Sequence, residues 1–162
     1  MPAPQECRPH PAHHAVPSPP ETHPTKRSRI VETKAFNPWS WQDQFDFSQA
    51  VEVSGVQRTV YCAGQISCDA NGKSLYPGDM EAQFHRALDN LEQVLDRAGG
   101  LKLADVVRLN YYVTDVPAFL EAVPKVGARL QAAGCKPAST VLCVLGLAQP
   151  ESMIGLEATA CA

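Results

Sequence analysis

Only two stretches of this 162-residue chain carry apolar side chains at helical spacing, and that scarcity limits the fold more than any other feature. In the first, Met80, Phe84, Ala87, Leu88, Leu91, Val94 and Leu95 recur every three or four residues. Pro77-Gly78-Asp79 precedes them, with Asp79 as a suitable N-cap, and Gly99-Gly100 end the run. The second begins near Pro117, a residue suited to a first helical turn, and carries Phe119, Val123, Val126 and Leu130. Pro124 falls inside that pattern and is expected to kink it, because it removes a backbone donor and crowds the preceding turn.

The remaining apolar stretches alternate at period two and predict strands. Phe47 to Val53 and Thr59 to Ala63 flank a short turn at Ser54-Gly55, which predicts a hairpin. Asp69 to Gly72 is a turn, since Asn71-Gly72 tolerates positive φ. Val106 to Val113 places Val107, Leu109, Tyr111 and Val113 on one face, and strands over Thr140 to Leu145 and Met153 to Ala160 follow Pro137. The order is β-β-α-β-α-β-β, an α+β arrangement with two helices on one face of a mixed sheet. Two helices bury one sheet face, so the other needs a neighbour. A second copy of the chain is the simplest cover, and a homo-oligomer is expected.

Composition divides the chain near residue 34. Eight of the fourteen prolines and four of the five histidines lie in the first 24 residues, among hardly any large apolar side chains. Such a segment buries too little to offset its ordering entropy, so 1–34 is expected to be a disordered Pro/His-rich tail before a folded domain over 35–162. The tail carries five basic and three acidic side chains; the other 128 residues carry nine basic and fourteen acidic, a net of −5. That acidic body argues against nucleic acid as a partner, since phosphate neutralisation supplies most of such affinity. His10, His13 and His14 invite a metal and Lys26-Arg27-Ser28-Arg29 invites a docking partner, but in a flexible segment neither is pre-organised, and a solvated tail is the better reading. Apolar runs fall far short of the roughly 20 residues a membrane span needs. The N-terminus lacks an apolar signal segment and the six cysteines are too few for a disulfide scaffold, so a reduced, cytoplasmic protein is expected. Cys62 and Cys68 fit no common zinc or redox spacing, and buried thiols behave as small hydrophobes. No metal and no cofactor is expected.

Several short motifs then occur in series. Phe47-Ser48-Gln49-Ala50-Val51 resembles the "YSQAV" opening of the Rid family, the YjgF-type reactive-intermediate deaminases. Gly64-Gln65-Ile66 resembles that family's "SGQI", Gln83 to Asn90 its "Q…ALDN" helix, and Thr114-Asp115 its "TD". Pro137-Ala138 before a strand and Leu156-Glu157-Ala158 near the end complete the series, in family order, over about residues 45–162. The resemblance implies a chorismate-mutase-like fold, a homotrimer whose sheets line an inner barrel, and small-molecule pockets between subunits.

The resemblance also implies an arginine after "PA" that grips a substrate carboxylate and a last-strand glutamate that places water, the first by bidentate guanidinium recognition. Here those positions hold Ser139 and Gly155, while Phe47 stands for the tyrosine of "YSQAV" and Ala63 for the serine of "SGQI". Hydrolysis of amino-acid-derived imines is therefore doubtful for this chain, and a larger, less charged cleft is expected. Its lining is expected to include Phe47, Ala63, Gly64, Tyr111, Val141, Cys143 and Gly155. Trp39 and Trp41 are further candidates, since planar ligands gain from stacking, although both equally suit packing of the N-terminal segment on the sheet. Candidates for moving a proton are Glu157, Ser139 and Thr140, with Cys143 and Tyr111 behind them. His85 lies on the polar face of the first helix and reads as solvated.

Two functions fit. The first is a trimeric small-molecule enzyme acting on an imine, enamine or quinone-imine intermediate, by cyclisation, rearrangement or hydrolytic deamination, on a planar or aromatic substrate. The second is a catalytically inactive ligand-binding or holdase-like trimer. Ribonuclease activity finds no His pair, basic groove or acidic metal cluster to support it.

Overall fold

A computed structural model describes residues 31–162 except Asp46. The histidine cluster and basic run of the N-terminal segment lie outside the described residues. The elements are β1 (Glu32–Phe36), β2 (Ala50–Ser54), β3 (Thr59–Ile66), α1 (Met80–Arg97), β4 (Val106–Val113), α2 (Val116–Ala132), β5 (Ala138–Cys143) and β6 (Ile154–Cys161), with 3-10 turns at Trp41–Gln44 and Leu103–Asp105. One sheet has the order β3-β6-β4-β5; its β4–β5 pair is parallel and the others are antiparallel, which makes it mixed.

Both helices start as their sequences require. Asp79 caps α1 by accepting the Ala82 N–H at 3.0 Å, and Asp115 caps α2 by accepting that of Ala118 at 3.0 Å. Beyond α1, Gly99 and Gly100 take φ of 103° and 80°, which residues with a Cβ rarely adopt. Helix α2 runs unbroken through Pro124, whose ring is exposed. Across the helix pair Arg129 binds Asp89 at 2.8 Å and Glu92 at 2.6 Å, and Lys125 binds Glu81.

The core fills the space between the helices and one face of this sheet. Phe84, Leu88, Leu91 and Leu95 of α1 and Val126 of α2 meet Leu109, Val113, Ile154 and Leu156 of the strands, all fully buried. On the opposite face, among the described residues, no helix or strand packs over Arg108, Asn110, Tyr112, Thr140 or Glu157. Tyr61 stands 81% exposed.

The strands differ from expectation in pairing and register. The predicted hairpin between the first two does not form: β2 pairs antiparallel with β1, from Glu32↔Ser54 to Phe36↔Ala50, and β3 pairs with β6. The turn between them is diverted because Gln57 and Arg58 both donate to the Ala162 carbonyl, at 2.8 and 2.7 Å, which steers β3 onto the C-terminal strand. Strand β1 adds an element that the sequence patterning missed and takes in Glu32, Thr33 and Lys34, which composition had assigned to the tail. Strand β5 begins two residues earlier than predicted, since its parallel ladder runs from Arg108↔Ala138 to Val113↔Cys143 and stops where β4 stops. A register shift between Val106 and Arg108 buries Val106 and leaves Val107 half-buried, reversing the expected face for that pair.

Two amides of α1 hold the long 67–79 connection. Gln83, fully buried, donates to the carbonyls of Tyr76 (3.1 Å) and Glu151 (2.8 Å) and accepts from Met153 N–H at 2.8 Å. Asn90 donates to the Ile66 and Cys68 carbonyls at 2.9 and 3.1 Å. The Gln83 contact anchors Tyr76, the one non-glycine among the described residues with positive φ, at 56°. Gln83→Leu removes the partners of the Glu151 carbonyl and the Met153 N–H, at roughly 1–3 kcal/mol each, while the Tyr76 carbonyl keeps the Asp79 N–H at 3.1 Å. A loss of at least ~2 kcal/mol is expected, read as a lower urea midpoint at unchanged m-value.

Candidate functional site

A cavity of about 260 Å³ lies between α2 and β5. Its inner wall is aromatic: Phe84 of α1, Tyr111 of β4 and Phe119 of α2, with ring centroids 5.6–5.7 Å apart. Phe45 and Phe47, 6.2 Å apart, close the side toward the N-terminal segment. Helix α2 contributes Leu120, Val123, Gly127 and Leu130, and β5 contributes Ser139 and Val141. The rim is solvent-facing at Phe45, Leu120 and Val141, whereas Phe84, Tyr111, Phe119 and Leu130 are buried. Among the described residues, no lining side chain carries a formal charge, and the hydroxyls of Ser139 and Tyr111 are the polar side-chain groups.

Two distant segments are fastened together to make this wall. Ser48 N–H donates to the Pro137 carbonyl at 2.9 Å, and its hydroxyl donates to the Lys136 carbonyl at 3.1 Å. The serine following Phe47 is thus tied to the residues preceding Ser139, which seats Phe47 beside the start of β5. Ser139 alternates with Ala138 and Thr140 along the strand and faces α2. Its hydroxyl donates to the Pro137 carbonyl at 3.4 Å, a long bond that a ligand acceptor can displace.

The open sheet face carries a separate polar chain. Glu157 Oε2 accepts from the Tyr112 hydroxyl at 2.6 Å and from Asn110 Nδ2 at 3.2 Å. Arg108 Nε donates to Asn110 Oδ1 at 3.0 Å, and its Nη2 donates to Thr140 Oγ1 at 3.1 Å. The phenol and then the amide hold the Glu157 carboxyl below its ordinary value. The same carboxylate, followed by desolvation, pushes the Tyr112 phenol up. Glu157 is therefore a carboxylate at neutral pH, stabilised in that form.

Of the residues expected from sequence, Phe47, Tyr111, Ser139 and Val141 meet in the cavity. Thr140 and Glu157 lie on the opposite face, in the polar chain. Ala63 and Gly64 sit at a register shift in β3, at the far edge of the sheet, exposed. With about 4.8 Å between neighbouring strands, β3 and β5 lie roughly 14 Å apart. Gly155 is buried, and a side chain there meets Ile66 and Leu147, each at 3.6 Å. Cys143 is exposed at the end of β5. Trp39 and Trp41, 60% and 55% exposed, line a shallow depression with Asn37, Pro38 and Ser40 and are not among the residues lining the cavity, although the Trp41 ring lies 6.0 Å, centroid to centroid, from that of Phe47. Sequence reasoning missed Phe45, Leu120 and Gly127 and read Phe84, Phe119, Val123 and Leu130 as core. Among the described residues no group of three or more metal-ligating side chains gathers, and no helix is long and apolar enough to cross a membrane.

Residues 42–162 match the family model described as Endoribonuclease L-PSP. The chain belongs to this family, the YjgF/Rid family. A Yersinia pestis member, the Rid protein YyfB, described as of unknown function, is 39% identical over 80% of this chain and 98% of its own, with a TM-score of 0.71. The YjgF gene product of E. coli is 26% identical over 71% of this chain and 87% of its own, with a TM-score of 0.58. Among curated Rid relatives, the Rattus norvegicus 2-iminobutanoate/2-iminopropanoate deaminase is 36% identical over 73 residues, 45% of this chain and 50% of the relative. The match thus spans about half the length of the curated relatives. The α+β Rid fold, with two helices packed on a mixed sheet, is the one observed here.

The Tyr112–Glu157 bond makes a pH prediction with opposite signs at its two ends. A depressed carboxyl contributes stability that is present above its ordinary value of 4.5 and lost as pH falls through the folded value. A raised phenol contributes stability that is present below its ordinary value of 10.0 and lost as pH rises through the folded value. The difference in phenolate absorbance between the native chain and Tyr112→Phe is expected to titrate above pH 10.0, and to move down when Glu157→Gln is introduced. A Tyr112 midpoint that ignores Glu157→Gln counts against the bond.

Proposed function

We propose that this chain is a Rid-type enzyme that handles an imine or enamine intermediate in the cavity between α2 and β5, working as a homotrimer. The observation that carries the reading is the meeting of Phe47, Tyr111, Ser139 and Val141, drawn from three separate segments of the family pattern, around one cavity. Deaminase activity among its relatives supports the reaction class. In the hydrolytic case, water adds to the C=N carbon, nitrogen takes the proton, and collapse of the carbinolamine breaks the C–N bond to release ammonia. Ser139 is the side chain placed to orient that water, and Tyr111 is the remaining hydroxyl in the wall. Glu157 and Thr140 face away from the cavity, and their part is to hold the open sheet face.

Two features support assembly. Ala63 and Gly64 occupy the β3 edge and Ser139 the β5 edge, so one chain cannot bring these motif positions together, whereas neighbouring copies can. The open face also presents Leu142, 47% exposed, and Tyr61 to solvent, and a partner sheet gives both apolar cover. Cyclisation or rearrangement in specialised metabolism suits the same cavity where water is kept from the C=N carbon.

A second reading, a binding trimer without catalysis, is favoured by the shortage of proton-transfer groups in the cavity, where no carboxylate or imidazole lines the wall among the described residues. Ammonia release from 2-iminobutanoate separates the readings. The native chain is expected to be slower than a deaminase carrying arginine after "PA" by at least tenfold, and Ser139→Arg to raise the rate. No ammonia from either form, with any imine offered, leaves the binding trimer. Light scattering at micromolar concentration is expected to give three times the 17.5 kDa chain mass; a monomer overturns the assembly.

A further inference from the structure

We propose that the cavity selects an uncharged, ring-sized apolar group, and that Gly127 and Ser139 are the residues that set this specificity. The inference rests on the reading of this cavity as the substrate site and names what that site admits.

Size comes first. An apolar cavity of roughly 150 Å³ is enough to hold benzene, and this one measures about 260 Å³, room for a fused pair of rings or a substituted single ring. Its inner wall presents the edges and faces of Phe84, Tyr111 and Phe119, tilted against one another by 28° to 80°, a geometry that offers an aromatic guest both stacking and edge contacts.

Gly127 supplies the depth. It is buried on the face of α2 that carries Leu120, Val123 and Leu130 to the cavity, one turn beyond Val123. Glycine inside a helix is unfavourable relative to alanine, and its φ here is not positive, so no backbone constraint calls for it. The consequence left to it is space: Gly127 lines the cavity, and a larger residue at this position takes room from it. Pro124, in the same turn, removes the N–H that would bond the Leu120 carbonyl. The two least helix-favouring residue types thus fall together on the part of α2 that walls the cavity.

Ser139 supplies the neutrality. Arg108 is the cation nearest in the ladder, pairing with Ala138, but its guanidinium is engaged with Asn110 and Thr140 on the opposite face of the sheet. Among the described residues, no lining cation offsets the cost of desolvating an anion. A carboxylate is therefore excluded where a neutral ring is admitted.

Calorimetric titration of the full chain with indole and with indole-3-acetate tests this, because the two share a ring system and differ in the charged arm. Indole is expected to bind at least tenfold more tightly. Ser139→Arg is expected to close or reverse that gap. Gly127→Leu is expected to weaken indole at least tenfold, with helix content and melting temperature preserved. If Gly127→Leu fails to fold, Gly127→Ala, which suits a helix better than glycine, decides by an expected loss of at least threefold. Equal affinity for the two probes, no indole binding at millimolar concentration, or indole binding untouched by the Gly127 change overturns the proposal. Failure to release ammonia from 2-iminobutanoate bears on the reaction and leaves these binding results standing.

Discussion

The sheet is organised by β6, the one strand of its sheet paired on both edges by antiparallel ladders. Leu156, Ala158 and Ala160 project from it into the helix-side core, and Glu157 and Thr159 project the other way. That alternation divides the molecule into an apolar side and a polar side with a single strand between them. It also explains why β3 abandons β2. Eight residues of β3 against eight of β6 bury Cys62 and place Val60 against the core, whereas a hairpin with the five-residue β2 would leave the edge of β6 unpaired beneath α1.

Helix α2 is the less closely fitted of the two. Its first turn is fixed by Asp115 and its last by Arg129, which reaches two carboxylates of α1. Between those ends Phe119 packs on Phe84 and Tyr111, but Gly127 of α2 and Ser139 of β5, both small, line the cavity. The cavity is therefore the product of two small side chains in an otherwise well-packed layer.

The helices were legible in the sequence through their punctuation, an acidic cap and trailing glycines for α1 and a proline in the first turn for α2, and β4 through its apolar residues alternating at period two. The pairing of β2 was not, because a strand's partner is decided by the whole sheet, and β1 reads ETKAF, without the apolar alternation that marks a buried strand. The candidate site was half legible. Phe47, Tyr111, Ser139 and Val141 stand out through the family pattern, yet Phe84, Phe119 and Leu130 sit on the same apolar stripes as true core residues. Periodicity reports which face of a helix is buried. It does not report whether that face meets atoms or empty space, and only the packing of α2 over β5 separates the two.

The separation of charge across the sheet carries the chemical consequence. Arg108, Asn110, Tyr112 and Glu157 satisfy one another on the open face, so the cation closest to the cavity in the ladder is held away from it by bonds to Asn110 and Thr140. A guanidinium released from that chain would leave Asn110 and Thr140 each short of a donor, and the carboxylate of Glu157 loses part of its support as Asn110 moves. The polar chain thus does for the cavity what a change in the lining alone would not: it keeps charge on the far side of the strand. On the proposed function, an imine on the near side would meet aromatic rings and the side chains of Ser139 and Tyr111, with water reaching it past Phe45, Leu120 and Val141 at the rim.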